Sequence, residues 1–320
     1  MGSNPYKGLP SSAFWKTGVA HENPYLIEGL YTKKYDIPPE AEIATAGSCF
    51  AQHISRHLKM NGYNVLDVEP PPNDLPESQY QKYGFSMYSA RYGNIYTIRQ
   101  LLQLSQEATG EWSPAEYVWS NNGKYYDALR PAIEPDGYDS PEEVVELRQY
   151  HLSRVRRLFE KLDIFIFTLG LTEMWVHAKS GTVYPTAPGT IAGDFNEQEF
   201  AFKNAQVGEM IRDFNHFQQV LLKMRQGRPY KVMLTVSPVP LTASASGKHV
   251  LVSTTYSKSA LRCVADQLSM NQPHIDYFPS YEIITNPRLH STSFAENLRS
   301  VRDEAVENVM RHFFLQHTRH

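Results

Sequence analysis

The sequence contains very little cysteine. Cys49 and Cys263 are the only two cysteines among its 320 residues. A scaffold held by several disulfides is therefore excluded, and no zinc cluster can be built from thiolates. The one closely spaced histidine pair, His53 and His57, has no third metal ligand beside it in the sequence. We therefore predict a protein without a metal or another cofactor.

Long apolar runs and an excess of one charge are also missing. No stretch approaches the roughly 18 apolar residues of a membrane-spanning helix, and the first residues lack the apolar core of a secretion signal. Lys and Arg number 31 against 34 Asp and Glu, a net charge of -3. Proteins that bind nucleic acid or membrane surfaces through charge usually carry a clear basic excess. We expect a soluble, cytoplasmic protein with no nucleic-acid or membrane partner.

What the sequence does contain is an alternation of apolar, strand-like runs with long amphipathic segments. Residues 163–170 form a continuous apolar run, which is typical of a strand buried on both faces of a parallel sheet. Further strands are predicted at 41–47, 63–69, 231–240 and 274–284, and helices at about 50–60, 95–107, 141–162, 197–226, 256–270 and 302–315. This alternation predicts an α/β fold with a mainly parallel sheet.

The domain organisation follows from length and composition. A chain of 320 residues fits one large domain or two modest ones. Residues 1–40 are polar, aromatic and interrupted by proline, and we predict an arm that packs on the domain. Residues 41–320 are predicted to form a single domain, with an irregular, aromatic-rich insertion at about 108–140.

A serine follows directly on the first predicted strand, in the order Gly47, Ser48, Cys49. The glycine permits a sharp turn, and the serine then lies at a helix N-terminus, where free N–H groups favour developing negative charge. A nucleophile is well placed there, although a serine that only caps the helix fits the same pattern. Because a helix N-terminus can lower the pKa of a thiol, Cys49 is the second-choice nucleophile, and a packing role is its alternative.

Two other glycine turns point to the same edge of the sheet. Gly170 follows the apolar run at 163–168, with Thr172 and Glu173 close behind it. Since the carboxyl ends of parallel strands share one edge, we expect these residues near the serine. Gly93 and Asn94 form another turn that opens a helix and could direct an N–H group into a cleft, although Asn94 alone also fits a helix cap.

With these motifs, the sequence resembles the GSCFA family, which is similar to the SGNH/GDSL hydrolases and acyltransferases. The resemblance covers roughly residues 40–315. The motifs that carry it are GSCFA at 47–51, ARYGNIYT at 90–97, FTLGLTEMW at 167–175, TVSPVPLTAS at 235–244, TYSKSALR at 255–262 and YFPSYEI at 277–283.

The resemblance implies a three-layer α/β/α sandwich with flavodoxin-like topology and a Ser–His active site for acyl ester chemistry. Ser48 matches the nucleophile, and its backbone N–H and that of Gly93 match oxyanion donors. Gly170 matches the glycine of the SGNH motif G-x-N-D. At the asparagine and aspartate of that motif, this sequence carries Thr172 and Glu173.

The general base is the main departure from the SGNH pattern. Residues 295–300 occupy the place of the D-x-x-H motif and contain neither aspartate nor histidine. Another histidine must then take the serine proton. His249, which follows a flexible loop rich in small residues, is the first choice, and His290 is the second. Glu282, predicted on the last strand, could orient the histidine as a triad carboxylate does, or could be an ordinary strand-end charge.

These features lead to two hypotheses for the function. The first is a serine esterase or O-acyltransferase that acts on a small-molecule or glycan acyl ester. The second is a non-catalytic module that binds carbohydrate or acyl groups and has lost the base, which the missing D-x-x-H motif and the aromatic-rich insertion both favour.

Overall fold

The structure, a computed structural model, describes residues 4–317. Residues 1–3 and 318–320, which the predicted arm and domain include, lie outside the described residues. The strands are β1 (Ile43–Gly47), β2 (Val118–Asn121), β3 (Lys124–Asp127), β4 (Ile164–Leu169), β5 (Glu173–His177), β6 (Val183–Tyr184), β7 (Phe200–Asn204), β8 (Lys231–Val236) and β9 (Ile275–Tyr277). The helices are α1 (Phe50–Met60), α2 (Ile98–Thr109), α3 (Pro141–Lys161), α4 (Val207–Met224), α5 (Val250–Asn271), α6 (Ser280–Ile284), α7 (His290–Ser293) and α8 (Asp303–Gln316). Short helical turns occur at Ser11–Ala13, Lys16–Ala20 and Glu77–Gln79.

A parallel sheet forms the centre of the protein. Within the described residues its order is β1-β4-β8-β9, and every neighbouring pair is parallel. β4 lies between two other strands and all six of its residues are buried, as its continuous apolar sequence predicts. The predicted α/β class with a mainly parallel sheet is confirmed.

Helices cover both faces of this sheet. Phe165 and Phe167 belong to one core cluster with apolar residues of α2, α3, α4 and α5. Ile164 and Ile166 belong to a second cluster with residues of α1, α6 and α8. Since successive strand residues point to opposite faces, the alternation along β4 separates the two cores. The predicted three-layer α/β/α sandwich is confirmed.

Three predicted elements are wrong in type or extent. Residues 63–69 do not form a strand of the sheet, and an isolated parallel bridge joins Val65 to Ile43 of β1. The segment at 197–226 is not one helix, because β7 precedes α4. The segment at 274–284 is not one strand, because β9 ends at Tyr277 and α6 follows. In each case a short apolar stretch fits more than one type of element, and its neighbours in space select the type.

A small antiparallel sheet, in the order β6-β5-β7, adjoins the carboxyl edge of the parallel sheet. Trp175 of β5 lies opposite both Tyr184 of β6 and Phe202 of β7. The predicted irregular insertion at 108–140 contains an ordered hairpin of β2 and β3. Its Trp119 packs on Tyr184 with ring centroids 4.9 Å apart. These aromatic residues therefore pack together near the carboxyl edge of the parallel sheet, which is the edge where α/β proteins bind ligands.

Residues 4–40 run over the surface of the sandwich. The Tyr31 hydroxyl donates to Asp276 Oδ2 over 2.9 Å, and the backbone N–H of Ile27 donates to His312 Nε2 over 3.2 Å. Both acceptors lie more than 240 positions away in the sequence. None of the helices within residues 4–317 is both long and apolar enough to cross a membrane.

We expect Thr97→Ala to destabilise the protein by about 1 kcal/mol, because it removes half of a capping box. The Thr97 hydroxyl accepts from the Gln100 N–H over 3.2 Å, and Gln100 Oε1 accepts from the Thr97 N–H over 3.0 Å. Urea unfolding measures the change. Thr97→Ser keeps the hydroxyl and should therefore retain most of the wild-type stability. An equal loss in both variants would contradict the capping explanation.

Candidate active site

Ser48 lies immediately after β1 and at the start of α1. Gly47 has φ +135°, and a Cβ at that position would lie 2.4 Å from the Thr168 carbonyl oxygen on β4. Only glycine permits this close passage of the two strand ends. The turn directs Ser48 away from solvent, so that 4% of the residue is exposed. Its Oγ makes no hydrogen bond to any described residue.

Ser48 lines a pocket of about 580 Å³ at the carboxyl edge of the parallel sheet. Cys49 and Gly170 also line it, and the charged lining residues are Glu173 and Arg299. Apolar and aromatic side chains form much of the remaining lining, among them Met174, Trp175, Pro185, Phe202, Val239 and Leu241. The pocket therefore combines a buried hydroxyl with an apolar surface and two groups of opposite charge.

Gly170 brings the turns after β1 and β4 together. A Cβ on Gly170 would lie 2.9 Å from Ser48 Cβ and 2.9 Å from the Tyr96 carbonyl oxygen. Tyr96 belongs to the segment that follows Gly93 and Asn94, and it also lines the pocket. The structure thus brings the serine turn, the Gly170 turn and the segment before α2 to one place.

The structure places the predicted oxyanion donors differently from the expectation. The Ser48 N–H already donates to the Thr168 carbonyl over 3.2 Å. Gly93, with φ +66°, packs beside Ile133 of the insertion and does not line the pocket. The Ser48 N–H is therefore already engaged, and Gly93 lies outside the lining of the pocket.

Three other predicted site residues lie in different places relative to the pocket: Asn94, Thr172 and Glu173. Asn94 accepts a hydrogen bond from the Tyr88 hydroxyl over 2.6 Å and lines a different, smaller cavity. Thr172 is fully buried, and its Oγ1 makes no hydrogen bond to a described residue. Glu173 lines the pocket and accepts from the Ser244 hydroxyl over 2.7 Å. Of these three residues, only Glu173 reaches the space beside Ser48.

Among residues 4–317, no histidine lines the pocket. His249 is exposed and caps the N-terminus of α5, where its Nδ1 accepts from the Leu251 N–H over 3.2 Å. His290 begins the short helix α7, is exposed, and packs against the Phe294 ring. Both predicted bases therefore lie outside the lining of the pocket.

Glu282 lies on helix α6 and not on the last strand, which corrects the prediction. Its Oε1 accepts from Arg262 Nε over 2.6 Å, and its Oε2 accepts from the Tyr277 hydroxyl over 2.7 Å. Both carboxylate oxygens are occupied by these partners. No histidine is paired with this carboxylate among the described residues.

Cys49 is beside Ser48 in the pocket and is partly buried. Burial raises the pKa of its thiol, although the charges of Arg299 and Lys258 act in the opposite direction. The expected lowering of this pKa by the helix N-terminus is therefore outweighed by burial. Burial therefore gives Cys49 no activation as a thiolate.

Two cationic residues of the site, Arg299 and Lys258, were missed by reasoning from the sequence. Arg299 lines the pocket, its Nε donates to the Pro240 carbonyl over 3.2 Å, and no described carboxylate forms an ion pair with it. It lies in residues 295–300, the segment where the histidine motif is missing. Lys258 is 2% exposed, and its Nζ donates to the Gly170 carbonyl over 2.8 Å. The motif TYSKSALR, which contains this lysine, was the available signal.

A second cavity, of about 30 Å³, is lined by His151, which pairs with the buried carboxylate of Glu69. His151 Nδ1 and Glu69 Oε2 are 2.7 Å apart, and His151 is 1% exposed. The space is enough for water but not for an acyl ester. This pair belongs to a buried ion network with Asp127, Arg130 and Arg148, so we assign it a structural role.

Comparison with known proteins identifies the family. The model of the GSCFA family matches residues 42–313. The match runs from just before β1 into α8, and it includes Ser48, Gly170, Lys258 and Arg299. A search of the curated proteins finds no significant match.

Proposed function

This chain belongs to the GSCFA family, and we propose that it is a serine esterase or O-acyltransferase that forms an acyl-enzyme at Ser48. The observation that carries the proposal is the Ser48 hydroxyl, which is buried, lines a pocket and has no hydrogen-bonding partner among the described residues. Buried hydroxyls are normally hydrogen-bonded, and those that are not need an explanation. A nucleophilic role explains the missing hydrogen bond, because the partner of the Ser48 hydroxyl is then the substrate.

The surroundings of Ser48 suit the negative charge that develops on the acyl oxygen. Ser48 lies at the positive end of the α1 dipole. Arg299 adds a full positive charge in the same pocket, with no described carboxylate to neutralise it. Because the Ser48 N–H is already bonded to the Thr168 carbonyl and Gly93 lies outside the pocket lining, Arg299 and the start of α1 are the groups that would stabilise the oxyanion.

The proposed substrate is a small-molecule or glycan acyl ester. Trp175 and Phe202 are side by side on the antiparallel sheet, with ring centroids 5.9 Å apart, and both line the pocket. Aromatic and aliphatic surfaces of this kind accommodate an acyl chain or the face of a sugar ring. Glu173 and the Ser244 hydroxyl provide polar groups for the alcohol portion of the ester.

A fluorophosphonate probe tests the proposal without knowledge of the substrate. We expect intact-mass analysis to show one adduct in the wild-type protein, and peptide mapping to locate it on Ser48. The reaction forms an Oγ–P bond and releases fluoride with the serine proton, so it requires the same activated hydroxyl as acyl transfer.

Cys49→Ser is the matched control, because Cys49 lines the same pocket. It should keep the adduct, whereas Ser48→Ala should lose it. Absence of the adduct from a folded wild-type protein, or an undiminished adduct in Ser48→Ala, would contradict the proposal. Product analysis with added alcohol acceptors then separates hydrolysis from transfer.

The second candidate is a binding module without catalysis, which the absence of a histidine from the described pocket lining favours. Such a protein would bind acylated glycans on an array without turnover. Its binding would be unaffected by Ser48→Ala, and the fluorophosphonate would leave no adduct. The two candidates therefore give opposite results with the same variant.

A further inference from the structure

The proposed acyl transfer needs a group that accepts the Ser48 proton, and the described pocket lining contains no imidazole. A serine hydroxyl is a weak nucleophile until a neighbouring base removes its proton. Glu173 is the carboxylate that lines the pocket, but it is already engaged by Ser244. Glu173 does not form a hydrogen bond with Ser48 Oγ, so a basic group next to the pocket is a further candidate for this role.

Lys258 is a basic side chain that contacts the Gly170 turn beside Ser48. Its Nζ donates to the carbonyl oxygen of Gly170 over 2.8 Å. Gly170 is itself in close contact with Ser48, since a Cβ added to it would lie 2.9 Å from Ser48 Cβ. Gly170 thus contacts both Ser48 and Lys258.

Lys258 has an unusual environment for a lysine. It is 2% exposed, and no carboxylate among residues 4–317 forms an ion pair with it. Lysines are almost never fully buried unless they are paired. Burial lowers the pKa of Lys258 to about 7. The neighbouring Cys49 acts in the opposite direction, and the positive charge of Arg299 acts in the same direction as burial. A large part of the lysine is therefore a neutral amine near neutral pH.

We propose that Lys258 is the general base of this site and accepts the proton of Ser48 Oγ. The inference rests on the proposed acyl chemistry. A neutral amine carries a lone pair and still has N–H groups, so one N–H can remain on the Gly170 carbonyl while the lone pair takes the proton. Lysine has this role in Ser-Lys variants of the catalytic triad.

The proton and bond changes balance without any other reactant. As Ser48 Oγ bonds to the acyl carbon, the carbonyl electron pair moves to its oxygen and the Oγ proton moves to Nζ. The ammonium then returns this proton to the departing alkoxide, and the acyl-enzyme remains. In the second half, water or an acceptor alcohol gives a proton to Nζ as it attacks the acyl carbon, and Nζ returns the proton to Oγ. Lys258 ends in its starting state.

The pH dependence of fluorophosphonate labelling tests this role. In the wild-type protein, the rate of adduct formation at Ser48 should rise with pH and level off above a midpoint near pH 7. The sign follows because the base must be deprotonated to accept a proton. Lys258→Met should lower the labelling rate by about 10²–10⁴-fold at pH 8, the usual contribution of a positioned base.

Folding of the variant is checked separately by circular dichroism and urea unfolding. Met is similar in length and keeps the packing of the lysine stem, so the variant is expected to fold, with a modest loss of stability from the missing hydrogen bond to the Gly170 carbonyl. Lys248→Met is the matched control, because Lys248 is exposed and lies outside the pocket lining. It should label at the wild-type rate. In Lys258→Ala, added propylamine should restore part of the labelling, which a purely structural lysine would not allow.

The outcomes separate this inference from the proposed function. If the wild-type protein gives no adduct at Ser48, the proposed function fails. If Ser48 is labelled but Lys258→Met labels at the wild-type rate, the function stands and the lysine inference is overturned. A large loss in His249→Ala together with full labelling in Lys258→Met would identify His249 as the base instead.

Discussion

Ser48→Ala is expected to lower the turnover of any acyl ester that the protein accepts by about 10⁴–10⁶-fold, the range typical for loss of a serine nucleophile. The substitution removes the atom that bonds to the acyl carbon and leaves the pocket otherwise unchanged. A panel of p-nitrophenyl and acetylated sugar esters provides the substrate, and initial rates of the wild-type and variant proteins give the ratio.

Ser55→Ala is the matched control for this measurement. Ser55 also lies on α1, is fully buried, and has an Oγ without a hydrogen bond to a described residue, but it does not line the pocket. It should retain wild-type turnover. A variant at Ser48 that keeps more than a tenth of the wild-type rate would rule out a serine nucleophile, and equal losses at both positions would indicate damage to α1.

Asp127→Ala is expected to destabilise the fold by about 3–5 kcal/mol, because it removes the buried carboxylate that Arg130 and Arg148 share and leaves them only Glu69 and Glu107 as counter-charges. Asp127 is 2% exposed and accepts from Arg148 Nη1 over 2.8 Å and from Arg130 Nε over 2.6 Å. Burial alone would raise the pKa of this carboxyl, but the two arginines outweigh it and lower the pKa to about 2. At pH 7 the Asp127 carboxyl is therefore ionised, and urea unfolding at that pH measures the loss of its ion pairs.

Asp139→Ala is the control for Asp127→Ala, since Asp139 forms an exposed ion pair with Lys124 in the same insertion. Exposed pairs contribute little to stability, so its unfolding midpoint should remain close to that of the wild type. Similar losses in the two variants would show that burial does not set the contribution of the Asp127 network.

Local patterns along the chain were enough to predict the central sheet and most of its helices. The apolar run at 163–170 corresponds to β4 (Ile164–Leu169), and the proline and acidic residues at 141–143 correctly mark the start of α3. The turn at Gly47 was also predictable, because a glycine between a strand and a helix is typical of a sharp turn. These features depend on the periodicity and backbone preferences of neighbouring residues. The antiparallel sheet was not predicted, because its short strands are held by pairing partners elsewhere in the chain.

The candidate site likewise combines features that neighbouring residues determine with features that depend on distant parts of the chain. The sequence by itself determined that Ser48 follows β1 at a helix N-terminus and that a second glycine turn follows β4, since both depend on adjacent residues. Only the tertiary structure decided that no histidine among the described residues lines the pocket, and that Lys258 and Arg299 lie beside Ser48 and Cys49. Lys258 is more than 200 positions from the serine in the sequence, and its position depends on how α5 packs against the sheet. Packing between distant elements also sets the burial that lowers the pKa of Lys258, and local sequence patterns do not contain this information.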